Sequence, residues 1–194
     1  MNPLAGTLIL LPVPIEIEKK YRLTKKQRDQ ILLRLKEVGA TPEGEEFEEN
    51  TLFTGDALPR ERCVLRLRRV NGKATLTFKQ RIPSGDFIKH QQEDETTVGD
   101  ADAMEAILDS LGLTPRLVYE KRRATFRLGG AEIVVDELPF GLFMEIEGTE
   151  AEIKDAERQL AIKGLKAEHS TYPQLTQRHG KSDGQIVAAR FPDL

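Results

Sequence analysis

Ile15-Glu16-Ile17-Glu18-Lys19-Lys20-Tyr21 sits in an alternating stretch from Val13 to Leu23 that reads as a strand. Glu16, Glu18 and Lys20 fall on one face, and Ile15, Ile17, Lys19 and Tyr21 on the other. The motif is answered late in the chain by Glu145-Ile146-Glu147, again with both carboxylates on one face. Between the two, the same period pairs Arg66 with Arg68, Lys121 with Arg123 and on to Arg127, Lys79 with Thr75 and Thr77, and Glu93 with Glu95. One such pair alone is most often the wet face of a half-buried strand. Repeated in strand after strand, with one sign in each, it points to a shared interior face. Charges packed at that density repel unless a ligand and ions of opposite sign balance them. A polyphosphate with a divalent metal is the natural counter-charge.

The surrounding elements follow from local signals. Thr24 and Gln27 form a capping box, Ile31, Leu32, Leu35 and Val38 a buried stripe, and Gly39 a stop. Strands are expected near 45–53, 63–70, 74–80 and 87–96, with turns at Asn71-Gly72 and Pro83-Ser84-Gly85-Asp86. A second helix is expected over 100–111, three more strands near 116–128, 131–137 and 142–148, and a third helix capped by Thr149 and Glu152. Ser170 to His179 reads as a final short helix. The expected fold is mainly β (α+β): an eight-stranded antiparallel closed β-barrel forming a tunnel, with flanking helices. Residues 13–179 make up this domain, 1–12 an N-terminal arm and 180–194 a C-terminal tail. The tail's Ile186, Val187 and Phe191 are apolar enough to dock on the body.

The chain has 194 residues, enough for one sizeable core. Its formal net charge of -3 hides dense charge of both signs, since 31% of residues are charged. It lacks the basic excess of a protein that binds nucleic acid duplexes. The apolar run from Leu8 to Ile15 carries Pro12 and Pro14, has no basic segment before it and runs straight into charge. It reads as an arm or first strand rather than a signal sequence; no membrane partner and a cytoplasmic location are expected. Cys63 is the single cysteine and the three histidines are scattered, so neither a disulfide nor a zinc signature is present. No GxxxxGK[ST] loop or GxGxxG turn occurs, and Gly180-Lys181-Ser182 lacks the upstream glycine and strand of a phosphate loop. Phosphate binding therefore has to rest on side chains from strands.

These residues resemble the CYTH domain, or triphosphate tunnel metalloenzyme, family, which includes class IV adenylate cyclases, thiamine triphosphatases and inorganic tripolyphosphatases. The resemblance is carried, in order, by Glu16-Ile17-Glu18-Lys19-Lys20, Leu65-Arg66-Leu67-Arg68, Thr75-Leu76-Thr77-Phe78-Lys79, Glu120-Lys121-Arg122-Arg123, the strand of Asp136, Phe143-Met144-Glu145-Ile146-Glu147 and Ser170-Thr171-Tyr172. It implies Glu16, Glu18, Glu145 and Glu147 as ligands of Mg2+ or Mn2+, and Lys20, Arg66, Arg68, Lys79, Lys121 and Arg123 as the phosphate-binding side. Lys20, Glu18 and Arg66 are the implied catalytic residues. Asp136 and Glu95 are implied as an ion-pair partner or part of a second metal site. Gln91 stands where members often carry arginine, and Lys89, one inward step earlier, is the residue placed to compensate. The implied activity is metal-dependent hydrolysis of a small-molecule triphosphate such as tripolyphosphate. Cyclisation of ATP to cyclic AMP and noncatalytic binding of polyphosphate or nucleotide are the alternatives. Apolar positions on the outer face allow a homodimer.

Overall fold

The computed structural model describes residues 15–58, 63–82 and 89–192; for Ile15, Glu16, Arg81, Ile82, Lys89, His90 and Gln91 only the backbone is described. The expected arm at 1–12 and the turn at Pro83-Ser84-Gly85-Asp86 lie outside these residues. The chain runs β1 (Ile15–Leu23), α1 (Lys25–Glu37), β2 (Thr41–Thr54), β3 (Cys63–Val70), β4 (Lys73–Ile82), β5 (Lys89–Val98) and α2 (Ala101–Ser110). It continues as β6 (Thr114–Leu128), β7 (Ala131–Leu138), β8 (Gly141–Glu147), α3 (Glu150–Gln159), α4 (Tyr172–His179), β9 (Lys181–Asp183) and β10 (Ile186–Ala189).

Local chemistry sets the boundaries. Thr24, Thr149 and Thr171 cap α1, α3 and α4 in capping boxes closed by Gln27, Glu152 and Gln174, which satisfy amide groups that a helix start leaves open. Asn71 and Gly72 both adopt positive φ, 49° and 75°, as the tight turn between β3 and β4 requires.

The sheet corrects the expected architecture. The eight expected strands are present and pair antiparallel, but not as a closed barrel of eight: among the described residues ten strands form one mixed sheet in the order β2-β3-β4-β5-β1-β8-β7-β6-β10-β9, with β10 and β9 added beyond β6. β2 pairs in addition with β6 along Thr41–Thr54, with a register shift between Pro42 and Gly44 and another between Leu52 and Phe53. The physical reason for the extra strands lies at β6. On β6, β7 pairs with Arg122–Leu128 and leaves the same edge open at Leu117–Tyr119, where β10 adds in parallel. The polar run Gly180 to Gly184, which holds β9, shows no strand alternation, and the four residues of β10 are apolar throughout, so neither strand left a periodic signal in the sequence.

The apolar clusters sit mainly outside the sheet. Tyr21, Met144, Ile146 and Ile133 pack outward against Ile31 and Leu35 of α1 and Ile153 and Ala156 of α3. Phe53, Leu65, Leu67 and Val98 pack with Leu108 of α2. Burial of each large aliphatic side chain stabilises by roughly 1.5–3 kcal/mol, so these helices anchor the strands from behind. The opposite face of the same strands is thereby left to polar residues. A third cluster joins Leu52, Leu117, Tyr119, Leu138 and Phe143 to Tyr172 and Leu175 of α4 and Ala189 of β10.

Candidate active site

The polar face encloses a cavity of about 620 Å³. Strand alternation brings Glu18 and Lys20 from β1, Arg66 and Arg68 from β3, Lys79 from β4, Lys121 and Arg123 from β6 and Glu145 and Glu147 from β8 onto its walls. Two expected site residues, Glu16 and Lys89, are placed only by backbone register: Glu16 lies opposite Gln91, and Lys89 opposite Glu18. Gln91 in turn lies opposite Arg81 on β4. The side chains of all four are outside the described residues.

Most of the cations are held by carboxylates. Lys20 Nζ lies 3.0 Å from Glu145 Oε1, and Lys79 Nζ 2.9 Å from Glu93 Oε2. Arg123 donates to both oxygens of Asp136, at 2.8 and 2.6 Å, and to Glu145 Oε2 at 2.9 Å. Lys121 Nζ is 3.4 Å from Glu48 and 3.5 Å from Asp136, two carboxylates with no solvent exposure. Burial opposes the charge on Glu48, but Lys121, Arg123 and Arg68 outweigh it and hold the carboxyl down to about 2. Burial, with Arg123 adding to it, pushes the Lys121 ammonium down to about 8, against the pull of Asp136 and Glu48. For Lys20 burial is the largest influence, yet Glu145 and Glu18 more than offset it and raise its pKa, so the ammonium stays charged.

Arg66 differs from these. It is 9% exposed, donates to Thr77 Oγ1 at 3.3 Å, and Thr77 passes the contact on to Glu95 at 2.9 Å. It forms no ion pair among the described residues, and its Nε has no hydrogen-bond acceptor. Two positions along β3, Arg68 Nε also lacks an acceptor, standing 3.7 Å from Glu48. Buried guanidinium donors without acceptors are uncommon in native proteins, and carboxylate or phosphate oxygens are their best partners.

For a divalent ion the donor set and the backbone fit. Register places Glu18 opposite Glu147, and Glu147 opposite Glu132, a row of carboxylates across β1, β8 and β7. Hard oxygen ligands of this type suit Mg2+ or Mn2+. Among the described residues, however, no three acidic, histidine or cysteine side chains are gathered tightly enough to hold an ion as they stand. Glu145 is turned to Lys20 and Arg123.

Several residues at or behind the cavity wall escaped the sequence reading. Glu48 lies among Glu45, Glu46 and Glu49, where a near-continuous acidic run gives alternation no contrast; its only signal was the two-residue spacing to Asn50 and Leu52. Glu132 is separated from the β8 carboxylates in sequence and joins them only through strand register. Tyr119 and Tyr172 also line the cavity; Tyr172 donates to Asp136 Oδ2 at 2.8 Å, and its ring centre lies 3.9 Å from Lys20 Nζ.

The fold and site define a class: α+β proteins whose curved sheet encloses a cavity lined with paired opposite charges. Within it, the chain belongs to the CYTH domain family, the triphosphate tunnel metalloenzymes, whose model matches residues 14–174. Among solved structures it is similar to the PH1012 protein from Pyrococcus horikoshii OT3, with 26% identity, a TM-score of 0.72, and coverage of 82% of this chain and 98% of that one. The PH1819 protein of the same organism shares 25% identity at a TM-score of 0.65, covering 84% and 98%. HpAC1 from Hippeastrum, a provisional adenylyl cyclase described as having dominant triphosphatase activity, matches in fold at 22% identity and a TM-score of 0.64, covering 82% and 93%. No curated protein matches the chain. No helix among the described residues is long and apolar enough to cross a membrane.

Proposed function

We propose that the protein hydrolyses a triphosphate, either inorganic tripolyphosphate or a small organic triphosphate, in a reaction that depends on Mg2+ or Mn2+. The observation that carries this reading is Arg66, a buried guanidinium facing the cavity with no ion-pair partner among the described residues and an Nε that lacks an acceptor. A phosphate chain supplies the missing acceptors. Arg66 and Arg68 grip neighbouring phosphate oxygens from β3, while Lys20 and Lys79 approach from other walls. Lys20 stays protonated because Glu145 and Glu18 stabilise its charge, so it offsets the negative charge that grows on the leaving phosphate. Arg123, fixed by Asp136 and Glu145, keeps the basic side in place. Glu18, buried beside Lys20, is the carboxylate that would orient the attacking water there. Tyr172 and Pro173 exclude bulk solvent at the α4 wall. A divalent ion held by Glu16, Glu18, Glu145 and Glu147, with Glu132 as a further candidate, would polarise a phosphoryl oxygen.

The test offers the purified protein tripolyphosphate, thiamine triphosphate or ATP with Mg2+ or Mn2+, and separates phosphate, diphosphate and cyclic AMP. Release of phosphate or diphosphate that Glu147→Ala abolishes supports hydrolysis. Cyclic AMP as the main product would make the protein a cyclase. Tight binding without turnover, unchanged by Glu147→Ala, would make it a binding module.

A further inference from the structure

The cavity meets the end of the chain at α4. Tyr172, its first residue, holds Asp136 through its hydroxyl and lies with its ring against Lys20 Nζ. The position of α4 therefore sets the surroundings of a cavity cation. α4 itself is held by the residues that follow it. β10 supplies the backbone partner that Leu117–Tyr119 of β6 do not find in β7, and Ala189 packs into the cluster containing Tyr172 and Leu175.

The last contacts form a clamp on the outer face. Glu49 and Glu120 face each other in register across β2 and β6, a pairing of like charges that disfavours the sheet. Arg190 binds both, with Nη1 2.9 Å from Glu120 Oε1 and a second bond to Glu49. The Phe191 amide donates to Glu120 Oε2 at 2.7 Å. The Phe191 ring packs on Phe47, with the Arg122 guanidinium 4.2 Å from its centre. All of these tail residues lie beyond residue 174, where the family match ends.

We propose that residues 181–191 act as a strap that fixes α4 and so positions Tyr172 over Lys20, with Arg190 as its clamp. Arg190 is thus a positioning residue: it tunes the phosphate side of the cavity from the opposite face of the sheet. The effect on phosphate affinity rests on the reading of the cavity as a polyphosphate site; the hold on α4 does not.

The experiment uses the full chain with Arg190→Ala, Arg190→Lys and Glu120→Gln, and with Lys154→Ala on α3 as a control for loss of an exposed ion pair. Hydrogen exchange of the α4 amides and calorimetric binding of tripolyphosphate are measured on each. Arg190→Ala is expected to speed α4 exchange about tenfold while β8 stays protected. The tripolyphosphate dissociation constant should rise by at least about fivefold, with Arg190→Lys restoring it. Glu120→Gln, which removes a charge while keeping an acceptor, should move in the same direction by less. Unchanged α4 exchange in Arg190→Ala overturns the strap. Faster exchange with unchanged tripolyphosphate affinity overturns the positioning role. If the wild type does not bind tripolyphosphate, the functional reading fails, while exchange still decides the strap.

Discussion

Burial works against the charge on Arg66, but Tyr119, Glu48 and Glu93 more than offset it and raise its pKa, although the side chain forms no ion pair among the described residues and its Nε lacks an acceptor. Binding should therefore respond more than stability. Arg66→Met is expected to lower the melting temperature only slightly, because no ion pair is broken, while weakening tripolyphosphate binding about 10–100-fold, the range for a lost charged hydrogen-bond partner. Parallel thermal melts and calorimetry check this, and a large fall in melting temperature would assign Arg66 to the fold instead. Glu48 is the converse case. Its carboxyl is held at about 2 against an ordinary 4.5, so as pH falls the unfolded chain takes up this proton first. The stability it contributes is present in full above about 4.5 and is lost as pH falls towards about 2. Glu48→Gln should destabilise by about 3 kcal/mol at neutral pH, as breaking a buried ion pair does. Denaturant midpoints at neutral pH and in that acid window should show a flatter pH dependence for the variant. The pair also shows how far single residues were legible. Arg66 stood out because Leu65 and Leu67 flank it, whereas glutamates on nearly every side masked Glu48.

Among the elements, those with strong local punctuation were readable to within a few residues. β3 spans Cys63–Val70 as its alternation and the Asn71-Gly72 turn demand, and α1 begins at its Thr24 cap. β2 starts earlier than the alternation near Glu45 suggests, because pairing with β6 extends it back to Thr41 through a shift near Pro42. β9 and β10 depend on an open edge of β6, a tertiary fact that no local pattern reports. Gly180 joins α4 to these strands and exists for space rather than backbone freedom, since its φ of -71° is ordinary. A methyl group there would come within 2.7 Å of the Thr176 carbonyl oxygen and 2.9 Å of that of Ala188. Gly180→Ala is thus expected to destabilise by about 1–3 kcal/mol, an overpacking effect readable in urea unfolding. An unchanged midpoint would mean that α4 and β10 move apart at little cost.

For the whole molecule, the cavity concentrates charge of both signs, most of it paired within the protein, while Arg66 forms no ion pair among the described residues. A polyphosphate supplied at about 100 times its dissociation constant should stabilise the fold by about 2.7 kcal/mol. Thermal melts with tripolyphosphate, with and without Mg2+, measure this; sulfate at matched ionic strength is the control, and an equal shift with sulfate would reduce the cavity to a general anion site. At this scale the sequence disclosed the charged face, since same-sign pairs recur at every second residue, but not the path of the sheet. That path depends on which edge each strand finds, and edges have no signature in a single strand. The placement of the apolar clusters behind the sheet has a further consequence. Along β3 or β8, neighbouring positions should answer to separate selective pressures, one set through the apolar packing that stabilises the fold and the interleaved set through what the cavity accepts. A saturation library of either strand would give two interleaved combs, offset by one residue, and a lineage could drift to a new substrate on one comb without disturbing the other.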